Sequence, residues 1–161
     1  MILLKRISLR DFFLLFKWVN NEESVLLTRK FTKTSFWSHA KWFLKNYKSD
    51  GHVIFKIHES DSRTDIGLTQ ILIVDSSAEL RIKIIQSDLR SKGFGSQALQ
   101  ILIEEIKSRG LSSVYLFVRR DNQTAISLYR KFGFEFVPNT DFMGEYSEGF
   151  FITSKMILEF D

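Results

Sequence analysis

Apolar and polar positions change period along the chain, and each change marks an element. Residues 80–85, Leu-Arg-Ile-Lys-Ile-Ile, alternate over most of their length, which predicts a strand. From Leu99 the period becomes helical: Leu99, Leu102, Ile103 and Ile106 share one stripe, Gln100, Glu104, Lys107 and Ser108 lie off it, and Gly110 is a left-handed stop. Residues 113–118, Ser-Val-Tyr-Leu-Phe-Val, are a continuous β-prone run. Strand, helix and strand make a βαβ unit with a right-handed crossover, so its two strands are expected to be parallel neighbours. A further helix follows, with Asp121 or Asn122 as N-cap, Ala125, Leu128, Tyr129 and Phe132 as apolar stripe and Gly133 as stop.

Upstream, Ser8 and Asp11 suggest a capping box with Asp in place of Glu, before a helix that carries Phe12, Leu15, Phe16 and Val19 and ends near Asn20. A second helix is expected over 35–47, from Phe36, Ala40, Phe43 and Tyr47. The β-prone stretches 53–57 and 66–74 form a hairpin across the polar turn 60–64, and 75–78 turns back into the strand at 80. Beyond Phe134, residues 135–137 and 148–160 are β-prone, with a loop at 138–147. The order helix, helix, strand, strand, strand, helix, strand, helix, strand fits a three-layer α/β architecture.

Length and composition narrow the class. A chain of 161 residues, 44% hydrophobic, is expected to fold as one domain over 1–161, and one proline with no repeat gives no sign of a linker. With no cysteine, disulfides, thiolate zinc sites and a covalent cysteine intermediate are all excluded. The longest apolar runs, such as 12–16, fall well short of the about 18 residues of a membrane span. The first residues lack the order of a signal peptide, so a cytoplasmic protein with no membrane partner is expected. The net charge of +4 is spread along the chain and concentrates at Arg90/Lys92, Arg119-Arg120 and Arg130-Lys131; no nucleic-acid partner is expected from it.

The chemistry centres on Arg90-Ser91-Lys92-Gly93-Phe94-Gly95-Ser96, between the alternating strand and the first helix of the βαβ unit. Glycines there let a ligand approach the backbone, and the first N–H groups of a helix have no partner within it. Such a start attracts anions; Arg90 and Lys92 add charge and Ser96 a hydroxyl, a combination suited to a diphosphate. The spacing matches neither the dinucleotide fingerprint, because Ala98 stands where a third glycine is needed, nor the phosphate-binding P-loop.

R-x-x-G-x-G at 90–95, followed by Asn122, Ala125, Tyr129 and Gly133-Phe134, resembles the GNAT superfamily of acetyl-CoA-dependent N-acetyltransferases. The close likeness spans 78–137; Ser87 departs from a proline frequent at that place. The resemblance implies a GNAT fold, a mixed, mostly antiparallel sheet splayed at its central parallel pair with helices on both faces. It implies acetyl-CoA as co-substrate, no metal, and direct transfer to an amine. It further implies a bulge near Ile84 and Ile85 whose backbone pairs with pantetheine, pyrophosphate held by the amides from Ser91 through Lys92, Gly93, Phe94 and Gly95 to Ser96, Asn122 on the pantetheine arm, and Lys131 or Arg130 near the 3'-phosphate. Tyr129 matches the general acid for the departing thiolate.

Glu79, on the strand face of Arg81, Lys83 and Ile85, is the best candidate for general base; an ion-paired surface Glu or a water relay are the alternatives. Trp18, Asn20 and His39, with Trp42-Phe43, resemble the helix pair of a GNAT branch that acetylates nucleotide-linked amino sugars, and they are candidates for acceptor binding beside Trp37. Core packing is the competing explanation for these aromatic residues. Ribosomal-protein N-terminal and polyamine acetyltransferases share the layout, but a polyamine site calls for an acidic cleft, and the acceptor half has little beyond Glu22-Glu23. A catalytically idle acyl-CoA-binding module also fits the motif. The resemblance allows a homodimer through the C-terminal region, where Phe142, Met143 and Tyr146 are candidate contacts to substrate or subunit.

Overall fold

The computed structural model describes residues 1–22, 32–146 and 149–160, with backbone alone at 144–146 and 149–151. Its elements in chain order are β1 (Ile2–Arg6), α1 (Phe12–Val19), α2 (Phe36–Asn46), β2 (His52–Glu59), β3 (Thr64–Val74), β4 (Ser77–Ile84), α3 (Phe94–Ser108), β5 (Ser113–Arg119), α4 (Gln123–Lys131), β6 (Glu135–Phe136), β7 (Phe142–Tyr146) and β8 (Gly149–Glu159). Eight strands form one sheet in the order β1-β2-β3-β4-β5-β8-β6, with β7 against β8. Neighbours are antiparallel except β4 and β5, which are parallel. This is the mixed α/β sheet expected, with three corrections: β1 precedes the first helix as an edge strand, β7 lies within the stretch expected to be a loop, and β6 is a separate two-residue strand.

Pleating assigns the two faces. Val53, Ile71, Leu80, Val114, Leu116 and Met156 point to the side on which Leu99, Leu102 and Ile106 of α3 and Ile126 of α4 pack. Ile54, Leu68 and Ile85 point to the other, where they meet Leu15 and Trp18 of α1 and Phe43 of α2. Helices thus cover both faces, but α1 and α2 cover only the β2–β4 half of theirs. No described helix is long and apolar enough to cross a membrane.

Local signals behave as physics requires. Asp11 accepts the Ser8 N–H at 2.8 Å and its hydroxyl at 3.0 Å, so the carboxylate closes the turn that leads into α1. Asn122, not Asp121, caps α4, its Oδ1 accepting the Ala125 N–H at 3.1 Å. Gly110 and Gly133 follow their helices at φ +72° and +90°.

Asp11 also belongs to an ion cluster that ties this turn to the sheet. Lys56 Nζ lies 2.8 Å from Asp11 Oδ1 and 2.6 Å from Asp65 Oδ2, and His58 Nδ1 lies 2.8 Å from Asp65 Oδ1. Burial alone would raise both carboxylates, but their bonds to Lys56, with help from Ser8 and His58, hold them below the usual range. Carboxylates with depressed values stabilise the fold above their ordinary range near pH 4, and that stability is lost as pH falls. Lys56→Met is therefore expected to cost about 2 kcal/mol at pH 7, below the full value for a sealed pair because these side chains keep 12 to 21% exposure. In urea titrations the difference from wild type should narrow toward pH 3; a difference constant with pH would mean lost packing instead.

Candidate active site

The central parallel pair is short. β4 and β5 are in register only at Ser77 with Ser113, Ala78 with Val114 and Glu79 with Tyr115. Past that point β4 runs on beside β3 to Ile84 while β5 runs on beside β8 to Arg119, so a V-shaped gap opens between the strands. The Ile85 N–H donates to Ile66 O at 2.9 Å, on the β3 side. By the two-residue alternation of a ladder, the backbone groups of Ile82 and Ile84 turn toward the gap.

The expected bulge at Ile84 and Ile85 is absent. The β3–β4 ladder is unbroken from Val74 with Ser77 to Gly67 with Ile84. The irregularity lies one strand further out, between Ile57 and His58 of β2, where Ile66 of β3 is the extra residue. Of the two isoleucines only Ile84 opens its backbone to the gap, and its carbonyl accepts from Arg90 Nε at 3.2 Å. Arg90 Nη2 also reaches Ile85 O at 3.4 Å, so this side chain clips the loop to the strand end instead of standing as a mobile charge.

Gly93 is the N-cap of α3 at φ +84°, and Ser91 sits at φ +60°, a conformation that costs a non-glycine residue about 1 kcal/mol. A Cβ on Gly93 would meet nothing within 4 Å, and one on Gly95 would touch Leu128 Cδ2 at an ordinary 3.6 Å. Protein packing therefore does not demand glycine at 95. What the two glycines provide is bare backbone at the cap and in the first turn of a fifteen-residue helix whose first N–H groups have no partner in its own ladder. Lys92 is exposed beside this start, as is Lys131 at the end of α4. These features fit a pyrophosphate-bearing co-substrate. The cationic pair Arg119-Arg120 is engaged elsewhere: Arg119 Nε binds Asp121 at 3.0 Å, and Arg120 binds Asp141 at 3.0 Å and stacks over Phe136.

Tyr129 lies on α4, half-buried against the α3-side core, with its ring 5.8 Å from that of Phe134. Burial pushes its hydroxyl up to about 12, so it is protonated at neutral pH. Glu79 stands on the opposite face of β4, its carboxylate 13% exposed and 2.7 Å from Arg81 Nε. Its charge, after burial, raises the Tyr115 hydroxyl across the parallel pair.

A cavity of about 420 Å³ opens between α1, α2 and the β3–β4 surface. Trp18 and Trp42 form aromatic walls, and the polar lining is Thr34, His39, Gln70, Arg81 and Lys83, with no carboxylate among the described residues. Glu79 is not part of this lining. Of the acceptor candidates, Trp18 and His39 do line it; His39 is buried, its Nε2 3.2 Å from Phe12 O, and burial lowers it below the ordinary 6.5. Asn20 instead clamps Thr34, donating to its carbonyl at 3.0 Å and accepting its N–H at 2.7 Å. Trp37 is 79% exposed and outside the cavity. Glu23 and the side chain of Tyr146 lie outside the described residues; Phe142 packs against Phe117 and Met143 is exposed. Sequence reasoning did not single out Gln70 as a site residue, although its alternation with Ile71 placed it on the face of Leu68.

Among curated proteins, the [Ribosomal protein bS18]-alanine N-acetyltransferase of Escherichia coli (strain K12) is 29% identical over 112 residues, 65% of this chain and 73% of that protein. The uncharacterized N-acetyltransferase YobR of Bacillus subtilis is 32% identical over 80 residues, half of this chain; the match spans only 32% of that protein. Two solved structures share the fold: the spermidine N-acetyltransferase of Vibrio cholerae in complex with CoA and spermine (TM-score 0.84, 18% identity, 98% of this chain and 95% of that one) and a putative phosphinothricin N-acetyltransferase (TM-score 0.85, 17% identity, 100% and 99%). Residues 15–134, which hold the gap, the glycine loop and Tyr129, match the model of the acetyltransferase (GNAT) family, and to that family the chain belongs.

Proposed function

We propose that this protein transfers acetyl from acetyl-CoA directly to a primary amine, and that the amine sits on an acceptor that also bears an anionic group, a nucleotide-linked amino-deoxysugar being the first choice. The observation that carries the transfer reading is the V-shaped gap beside a glycine-opened helix start, with a half-buried, protonated tyrosine on the following helix. The backbone of residues 91–96 with Lys92 would hold the pyrophosphate, Ile84 the pantetheine, Asn122 its arm and Lys131 the 3'-phosphate. Acetyl-CoA supplies a thioester that an amine can attack. The new C–N bond forms as the C–S bond breaks, and Tyr129 gives its proton to the departing thiolate. The amine loses its proton to Glu79, directly or through water.

Arg81 and Lys83 beside Trp18 and Trp42 support the anionic, ring-bearing acceptor. A peptide N-terminus is the second reading, favoured by the bS18-alanine acetyltransferase relative. Polyamines rank below both, because the described lining is cationic. The test is thiol release from acetyl-CoA with a UDP-linked amino-deoxysugar, an alanine-terminated peptide or spermidine. Turnover of the sugar nucleotide is expected to exceed that of spermidine at least tenfold in kcat/KM. A preference for spermidine would overturn the acceptor reading, and CoA binding with no turnover on any amine would favour an idle binding module. Gly93→Ala is expected to raise KM for acetyl-CoA several-fold and to lower stability by about 1 kcal/mol through its positive φ. An unchanged KM would remove the loop from the cofactor site. A homodimer through β7 and β8 belongs to the same reading, supported by Met143 and Ile152, exposed and paired in register.

A further inference from the structure

Gln70 reaches the acceptor cavity from β3, and its amide is the last link of a hydrogen-bond chain that begins on α2. Asn46 donates from Nδ2 to Trp42 O at 2.7 Å, which fixes its Oδ1 toward His52, 3.0 Å from Nδ1. An amide oxygen only accepts, so Nδ1 of His52 carries a proton. Nε2 lies 2.9 Å from Gln70 Oε1, the contact a protonated ring makes; a neutral imidazole has one N–H, so its Nε2 presents a lone pair and the near-isosteric Gln70 amide turns over to meet it with its NH2. Two arrangements satisfy every group. With His52 neutral, Gln70 gives its NH2 to Nε2 and turns Oε1 to the cavity. With His52 protonated, Nε2 donates to Oε1 and the NH2 faces the cavity.

We infer that His52 sets which end of Gln70 the acceptor meets, and that in the neutral form Gln70 offers the cavity a carbonyl oxygen that orients the N–H groups of the incoming amine. Gln70 is then a specificity-determining residue and His52 a positioning residue acting through it. The inference rests on the acceptor binding in this cavity. The groups around the imidazole are Asn46 and Trp42 of α2, Gln70 of β3, and the charged Arg81 and Glu79 of β4. Burial lowers His52 below its ordinary 6.5; Gln70 opposes this, Arg81 adds to it and Glu79 opposes it. The neutral arrangement therefore holds at pH 7.5 and gives way as the medium is acidified.

Long-range ¹H–¹⁵N correlation spectra of the whole protein, without substrate, read the ring directly. At pH 7.5 the His52 signals are expected to show a protonated Nδ1 and a lone-pair Nε2. A proton on Nε2, or an imidazolium at that pH, overturns the relay. Kinetics provide the second readout, on whichever of the three test amines is turned over. As pH is lowered from 7.5 until the ring signals report the imidazolium, KM for the amine is expected to rise about threefold to tenfold, the worth of one hydrogen bond, while KM for acetyl-CoA stays constant. His52→Gln keeps a hydrogen-bonding amide without a titrating ring, and the difference between its pH profile and that of wild type isolates the relay from ionisation of the amine itself. The same KM rise in His52→Gln overturns the inference. If no test amine is acetylated, the proposed reaction fails while the spectra still decide the chain of bonds.

Discussion

Tyr129→Phe is expected to lower kcat about 100- to 1,000-fold and to leave KM for acetyl-CoA within about twofold, the pattern of a group that acts only as the thiolate departs. Phenylalanine preserves the ring that packs against Phe134 and the α3-side core, so stability should change by less than about 1 kcal/mol. The hydroxyl stays protonated throughout the neutral range, its value pushed up to about 12 by burial. Activity of the wild type should therefore show no fall from loss of this proton anywhere near neutral pH. Steady-state kinetics on purified wild type and variant decide the matter, with a urea titration to certify folding. Unchanged turnover would remove Tyr129 from the chemistry.

Gly67→Ala should be the most damaging single-methyl change to the fold. A Cβ there would stand 2.3 Å from Lys83 O, 3.1 Å from Ile57 Cδ1 and 3.2 Å from Ile84 Cα. Two of those three neighbours are backbone of β4, so relief requires moving a strand and not rotating a side chain. A cost of about 3 kcal/mol or more is expected, at the upper end for overpacking. The displaced segment, Lys83 and Ile84, borders both the gap and the cavity, so residual folded protein should bind acetyl-CoA more weakly as well. Urea or thermal titration measures the first effect and calorimetry the second. A loss under 1 kcal/mol would mean that β3 and β4 separate easily at this point.

The βαβ half of the molecule was legible because its signals are local: period, caps and glycine stops all lie within one element. The acceptor half was less so. Ile2-Leu3-Leu4-Lys5-Arg6 has no alternation, and β1 exists because β2 offers it an edge. β7 is a hairpin partner of β8, and pairing of that kind is set by the turn and the partner, not by propensity. Trp37 faces solvent from α2 while Phe43 of the same helix is buried, a difference of helix face that a count of aromatic residues does not carry. A residue pattern gives charge but not its partner; the engagement of Arg120 with Asp141, distant in sequence, appears only in three dimensions. The missing bulge has the same cause, since register is a relation between strands.

The brevity of the β4–β5 pairing divides the sheet into two parts of different folding character. β2, β3 and β4 form a meander of neighbouring hairpins, with β1 added along its edge, whereas β8 must return from the end of the chain to insert between β5 and β6. The local part closes short loops and can assemble early; the other waits on distant contacts. Only three residue pairs stitch the two along the strands, so the seam is a weak line through the middle of the sheet and the place for sub-global opening in native-state hydrogen exchange. A ligand lying in that seam touches both parts and tightens their union by mass action. Occupancy by the acetyl donor then acts as a fastener for the fold as well as a substrate for the reaction.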